Sequence, residues 1–493
     1  MILANLPAFQ VVIPLLAAPA CVLLQRPALA WGLSQTVSGI ALGIAILLLN
    51  QVLASGPISY ALGNWAAPWG IEYRVDPVNA FVLLIVAGTA VIVLAFAKTS
   101  IEHEIPRHQI SLFYCSFLLC LTGLLGIAIT GDLFNLFVFL EISSLSSYTL
   151  ISLGKDRRAL TAAFQYLIMG TIGATFIVIG VGLLYMMTGT LNIADLAVRV
   201  PPIAGTRTIL AAFAFLTVGT GLKLALFPLH LWLPNAYTYA PSAVTAFLAG
   251  TATKVAVYVL LRLFFTIFGA RFVFQTLPLV DILMLLGLAG ILVASTAAIY
   301  QSNVKRLLAY SSVGQIGYMI LGISFASTTG LTASIIHLFN HAIMKGGLFL
   351  ALGCVMFRVG SVHLAELDGL GKRMPWTMGA FVIGGLGLIG VPLTAGFISK
   401  WYLVLAALEQ GWWPAAVLVL VGSLLAVVYV WRVIEVAYFR PCPKEKEHVS
   451  EAPLSLLIPT WTLIGLTLYF GIDTRLTLGV ASQAARFLLG GGP

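Results

Sequence analysis

Apolar runs, each about twenty residues long and parted by short polar breaks, recur from one end of this chain to the other. The runs are continuous rather than alternating, so they read as helices and not as the strands of a barrel. They predict an all-α polytopic membrane protein with spans at 8–25, 31–54, 78–98, 110–129, 132–153, 163–187, 207–238, 242–268, 278–300, 307–326, 331–357, 376–406, 412–436 and 452–471, about fourteen in all. Two spans carry internal prolines: Pro228 and Pro234 in GLKLALFPLHLWLPNAY, and Pro392 in GGLGLIGVPLTAGFISKWYL. These predict that helices 7 and 12 are broken. The breaks lie five spans apart, as two inverted five-helix repeats, spans 4–8 and 9–13, would place them. The expected organisation is 1–109 for helices 1–3, 110–268 and 278–436 for the two repeats, and 437–493 for a cytoplasmic loop, helix 14 and a tail.

With 60% hydrophobic and 9% charged residues, no water-soluble domain is expected besides the spans. The first span has no basic n-region and no small-residue cleavage site, so it is expected to be retained. A net charge of +9 does not point to nucleic acid, because the basic residues are dispersed instead of gathered on one face or tail. They sort by topology. With the N-terminus outside, as in a bacterial inner (plasma) membrane, the cytoplasmic side receives fifteen, including Lys98, Lys155, Lys305, Arg306 and Lys446. The outside receives seven, including Arg74, Arg199, Arg262 and Arg271.

Four lysines are left over, Lys223, Lys254, Lys345 and Lys400, and with Glu141 they fall in the middle of spans. A charge near the bilayer centre costs from ~3 kcal/mol on insertion scales to ~10 or more in simulation, so such residues line a polar interior and mark relays or ion sites. Glu141, in TGDLFNLFVFLEISSLSSYTLISLG, is the one carboxylate expected deep in a span. Lys223 precedes the break at Pro228, and a Glu141–Lys223 pair across spans 5 and 7 would let both remain charged. Lys254, in TATKVAVYVLLR, sits at comparable depth on the next span, positioned to accept a proton from Lys223. In SIIHLFNHAIMKGGLFLALG, His337, His341 and Lys345 are four residues apart and share one helical face, the pattern of a proton wire. His230 could bridge Lys223 to the surface or cap carbonyls freed at the break. Lys400 follows the second break and suits a terminal group that exchanges with one bulk phase. Asp76 and Asp132 open spans 3 and 5 as interfacial anchors or helix caps.

Other readings are weaker. His337 and His341 could ligate zinc at i,i+4 spacing, but the HEXXH glutamate and a nearby third ligand are missing, and no metal is expected. Gly385, Gly387 and Gly390 match GxGxxG inside a membrane span with no βαβ context, so they read as helix packing. The five cysteines show no CxxC spacing, which argues against an iron–sulfur cluster, and no cofactor is expected.

These residues resemble the antiporter-like membrane subunits shared by respiratory complex I, Mrp-type cation/proton antiporters and membrane-bound hydrogenases, over nearly the whole chain. The resemblance implies a central proton-transfer axis formed by a glutamate on span 5, lysines on spans 7 and 8, and a lysine or glutamate on span 12. The matching positions are Glu141, Lys223, Lys254 and Lys400. TGDLFNLFVFLE, GNWAAPWGI and GTLNIADLA look most like the D-type component of Mrp antiporters, whereas NVKRLLAYSSVGQIGYM is shared with the M- and N-type components of complex I. The resemblance implies a proton-translocating subunit of a multi-subunit Na⁺ or K⁺/proton antiporter, with other membrane subunits, the lipid bilayer, protons and monovalent cations as its partners. The alternative is a membrane-arm subunit of an NADH:quinone oxidoreductase or hydrogenase. A stand-alone metabolite carrier, binding substrate at the broken helices, is a third class.

Overall fold

Asp76 sets the first long interior helix in place: its carboxylate accepts the backbone N–H groups of Val78 and Asn79, Asn79 answers on the Asp76 N–H, and Pro77 follows where a missing N–H costs nothing. The same device, a short polar side chain on the N–H three residues ahead, opens other helices at Asp132, Asn192, Asn303 and Ser327. Asp76 and Asp132 are therefore helix caps.

The computed structural model describes residues 3–24, 26–446 and 448–490. Position 25, at the expected end of the first span, and the last three residues of the tail lie outside the described residues. The helices are α1 (Leu6–Leu23), α2 (Pro27–Ser55), α3 (Pro77–Glu104), α4 (Ile110–Ile129), α5 (Leu133–Ser152), α6 (Arg158–Thr188), α7 (Ile193–Arg199), α8 (Arg207–Leu224), α9 (Trp232–Tyr239) and α10 (Ser242–Gly250). They continue with α11 (Ala252–Leu261), α12 (Leu279–Ile299), α13 (Val304–Ser324), α14 (Thr328–Val359), α15 (Leu370–Arg373), α16 (Pro375–Ile389), α17 (Ala395–Glu409), α18 (Trp413–Phe439), α19 (Leu454–Ile472) and α20 (Arg475–Leu488). Thirteen helical segments among the described residues are long and apolar enough to cross a membrane, and the broken pair α16 and α17 covers the remaining expected span. One face of the bundle carries a hairpin that hydropathy did not announce: β1 (Ile58–Ala61) and β2 (Glu72–Val75) are antiparallel, with Ile58 opposite Val75.

Both predicted breaks are present. Between α8 and α9, Ala225 takes a left-handed conformation (φ 60°), and the Trp232 indole donates to the Leu222 carbonyl at 3.0 Å. Between α16 and α17, Gly390 turns the chain at φ 86°. A third break was not foreseen: Thr251 (φ −126°, ψ −60°) separates α10 from α11 inside the eighth span. Beyond α11, Arg262–Ile267 continues as a π-helical turn. The tail also differs from expectation, since α20 is a folded amphipathic helix whose Val480, Ala481, Ala484 and Ala485 are buried.

The core is built around α14, which packs against α3, α10, α13, α16, α17, α19 and α20. Glycines bring the elements close where chemistry follows. A Cβ at Gly396 would stand 1.9 Å from the Gly387 carbonyl, and one at Gly385 would meet Val430, so the GxGxxG stretch serves helix packing.

Candidate functional site

Lys223 closes α8 one residue before its last turn unwinds, and the break aims its ammonium at α5. Its Nζ stands 3.5 Å from Glu141 Oε1 and donates to Ser144 Oγ at 2.8 Å. The pair predicted across spans 5 and 7 is present. Its environment is lopsided: the Lys223 side chain is 6% exposed and that of Glu141 is 29%, although Glu141 Oε1, the oxygen that faces Lys223, is itself buried. Gly173 and Gly219 let α6 approach α8 here, since a Cβ on Gly219 would come within 2.7 Å of the Gly173 carbonyl.

Lys254 lies just past the unforeseen break at Thr251. The break interrupts the α-helical ladder, and the Ala249 carbonyl takes the Lys254 ammonium, which also donates to Thr253 Oγ1 at 3.3 Å. Lys254 is 1% exposed, with no carboxylate recorded as its salt-bridge partner among the described residues. The α10 segment just before the break packs against α14, the helix that carries His341 and Lys345.

On α14 the histidines align as their spacing requires. The His337 and His341 rings are parallel, with centroids 5.9 Å apart. His337 Nδ1 and Ser399 Oγ share a 2.7 Å hydrogen bond, which ties α14 to α17. His337 Nε2 and both ring nitrogens of His341 are buried with no protein hydrogen-bond partner among the described residues. Lys345 turns the other way, donating to the Leu308 carbonyl of α13 at 2.8 Å. Among the described residues no hydrogen bond links His230 to Lys223. The His230 ring stacks on Phe227 (5.3 Å) and meets Tyr310 edge-on (6.2 Å).

Lys400, in the second turn of α17, has the fullest set of partners. Its Nζ donates to the Leu388 and Ile389 carbonyls at 2.8 and 3.0 Å and to Ser423 Oγ at 2.9 Å, and it lies 4.7 Å from the centroid of the Tyr318 ring. Those carbonyls are the free C-terminal end of α16, the negative pole of a helix dipole. Gly390 is needed twice: its φ of 86° suits glycine, and a Cβ there would stand 2.9 Å from Lys400 Cδ. Tyr318 also meets His337 edge-on, with ring centroids 5.9 Å apart, and His337 bonds Ser399 next to Lys400, so the histidines on α14 lead to this cage.

Two cations assigned by sequence to the membrane surfaces are buried. Lys305 is 2% exposed and donates to the Ala240 carbonyl and Ser242 Oγ at 3.3 and 3.2 Å. Arg262 is 6% exposed, with Nη2 2.5 Å from Asp76 Oδ2. Both begin or end a helix, so in sequence they look like loop charges. Only their tertiary partners draw them in.

Residues 130–426, from the start of α5 well into α18, match the family described as NADH:quinone oxidoreductase/Mrp antiporter, TM. NADH-quinone oxidoreductase subunit N of Desulforudis audaxviator is 42% identical over 476 residues, 93% of this chain and 94% of that protein. The D component of the Na(+)/H(+) antiporter of Alkalihalophilus pseudofirmus is 33% identical over 493 residues, 98% of this chain and 97% of that protein. A chain of the Mrp complex from Dietzia sp. DQ12-45-1b has the same fold with a TM-score of 0.91 at 27% identity, covering 99% of this chain and 98% of that one.

Proposed function

This chain belongs to the NADH:quinone oxidoreductase/Mrp antiporter transmembrane family, and from that premise we propose that it is the proton-translocating subunit of a multi-subunit Na⁺ or K⁺/proton antiporter. The observation that carries the reading is the Glu141–Lys223 pair in one bundle with a set of buried titratable groups, Lys254, His341, His337 and Lys400. A proton reaching the Lys223 end weakens the pair, and the charge displaced along the row ends on the carbonyl cage of Lys400. The imidazole nitrogens without protein partners suit a hydrated stretch between the lysines. Lys345 and His230 belong to this path as side members, one toward α13 and one toward Tyr310. In this reading 110–268 and 278–436 are inverted units that each contribute one broken helix, and the chain lies in a plasma membrane with the hairpin face outside.

A second reading rests on the 42% identity to an oxidoreductase subunit N: the same row would serve the membrane arm of a quinone reductase. Purification of the intact complex decides between them. Antiporter subunits with vesicles that alkalinise on a Na⁺ or K⁺ gradient support the first. Iron–sulfur and flavin subunits, with quinone reduction and no cation-driven exchange, overturn it in favour of the second.

A further inference from the structure

Lys254 has a second polar neighbourhood, leading away from the histidines. Residues 254, 258 and 262 are four apart, so Lys254, Tyr258 and Arg262 lie on one face of α11 and the turn after it, each about 6 Å further along the axis. All three are buried. Arg262 Nε donates to Tyr258 Oη at 3.0 Å, Arg262 Nη2 donates to Asp76 Oδ2 at 2.5 Å, and Tyr258 Oη donates to the Ala128 carbonyl at 3.0 Å. Asp76 is divided between two tasks: Oδ1 caps α3, while Oδ2 holds the arginine. A cavity of about 170 Å³ on the hairpin face is lined by Tyr258, Arg262, Asp76, Asn79 and Thr130.

We propose that Tyr258, Arg262 and Asp76 form a gated proton passage between Lys254 and the hairpin face of the membrane. The proposal rests on the proton-translocating reading above and adds a route that the row toward Lys400 does not contain. As seen, the passage is shut: the guanidinium occupies both the Tyr258 hydroxyl and Asp76 Oδ2, and its charge repels an approaching proton. Displacing Arg262 toward the cavity frees both groups. The Lys254 N–H bond then breaks as its proton passes through water to Tyr258 Oη, the Tyr258 hydroxyl turns from the Ala128 carbonyl, its O–H bond breaks as that proton forms an O–H bond on Asp76, and Asp76 releases it to the bulk. Lys254 is left neutral and no electron changes hands; inward transfer runs the same steps in reverse.

Two features favour a moving part over a fixed clamp. A buried ion pair stabilises little compared with apolar packing in its place, so stability alone is a weak reason for one. The segment Arg262–Ile267 also changes from α-helical to π-helical hydrogen bonding, a local irregularity frequent at functional sites.

The test uses the intact complex in sealed vesicles, with cation-driven proton exchange as readout and Lys223→Ala as control. Tyr258→Phe removes one oxygen and is expected to lower exchange at least tenfold with assembly intact. Ala197→Cys, in the cavity lining, is expected to exchange normally until a membrane-impermeant thiol reagent is added on the hairpin side, and then to fall tenfold or more. If Lys223→Ala is dead while Tyr258→Phe and labelled Ala197→Cys both run at the parental rate, the passage is overturned and the functional reading stands. If Lys223→Ala also runs at the parental rate, the functional reading itself fails. Should Tyr258→Phe not assemble, the labelled Ala197→Cys complex decides alone.

Discussion

Replacing Glu141 tests whether charge pairing drives the cycle. At the observed 3.5 Å, with an effective dielectric constant of about 20, the attraction between Glu141 and Lys223 is about 5 kcal/mol. The Glu141 side chain is 29% exposed, so solvent screening leaves about half of that as a working figure. Glu141→Gln removes the charge while the Lys223 hydrogen bond to Ser144 still positions the ammonium. A loss of about 2.5 kcal/mol corresponds to roughly a 70-fold slower exchange. Glu141→Asp keeps the charge but draws it back by about one methylene, to roughly 5 Å. The same arithmetic, discounted in the same way, leaves a loss of about 0.7 kcal/mol, or roughly threefold. Ser144→Ala removes one hydrogen bond to a charged group, about 1.5 kcal/mol or roughly tenfold. The assay is dye-reported proton uptake by vesicles containing the assembled complex after a Na⁺ or K⁺ jump. Parental exchange in Glu141→Gln, or equal losses in the Gln and Asp variants, would refute distance-dependent pairing as the switch.

Two further outcomes follow from the described contacts. The resemblance at span 12 admits lysine or glutamate, but here Lys400 is surrounded by acceptors, two carbonyls and a serine hydroxyl, and by the face of Tyr318. Lys400→Glu is therefore expected to be severe, losing at least tenfold in exchange, and Lys400→Arg to retain more; the same vesicle assay ranks them, and a glutamate variant as active as the parent would contradict the cage. On the face opposite the hairpin, the Lys446 ammonium, 2.5 Å from Glu366, holds that carboxyl below the usual glutamate range. The tie is complete above the ordinary glutamate value of about 4.3 and is lost as pH falls through the lowered one. Proteolysis next to Lys446 by an acid-active protease is expected to rise below about pH 4 and to stay flat between pH 5 and 7.

The helix count and the two proline-linked breaks were legible because hydropathy and proline act through local chemistry. Glu141 and Lys223 could be paired on paper because charges so deep in lipid leave few options. The break at Thr251 was hidden, since Gly250-Thr251 is compatible with an unbroken membrane helix; in the fold Gly250 lies against α3 and α14, where a Cβ would stand 2.7 Å from Thr89 Cγ2 and 3.7 Å from the Ala342 carbonyl. The acceptors around Lys254, Lys345 and Lys400 are largely backbone carbonyls, which every residue possesses, so no sequence marks them. Lys305 and Arg262 were counted as surface charges because the positive-inside rule treats any cation near a helix end alike. The α20 helix escaped for a related reason: Arg475 and Arg486 dilute its hydropathy, although its apolar positions recur with helical spacing.

The helix-end carbonyls that hold Lys254 and Lys400 are dipoles, and a dipole carries no net charge. When a proton leaves a lysine held by a carboxylate, a bare anion stays behind and pulls it back. A lysine resting on a broken helix leaves only a neutral amine beside a neutral peptide. Each such site can therefore empty and refill without creating an opposite charge in the membrane interior. Along this row the electrostatic profile is closer to level ground than to a series of wells, and Glu141 is the one place where the ground is tilted.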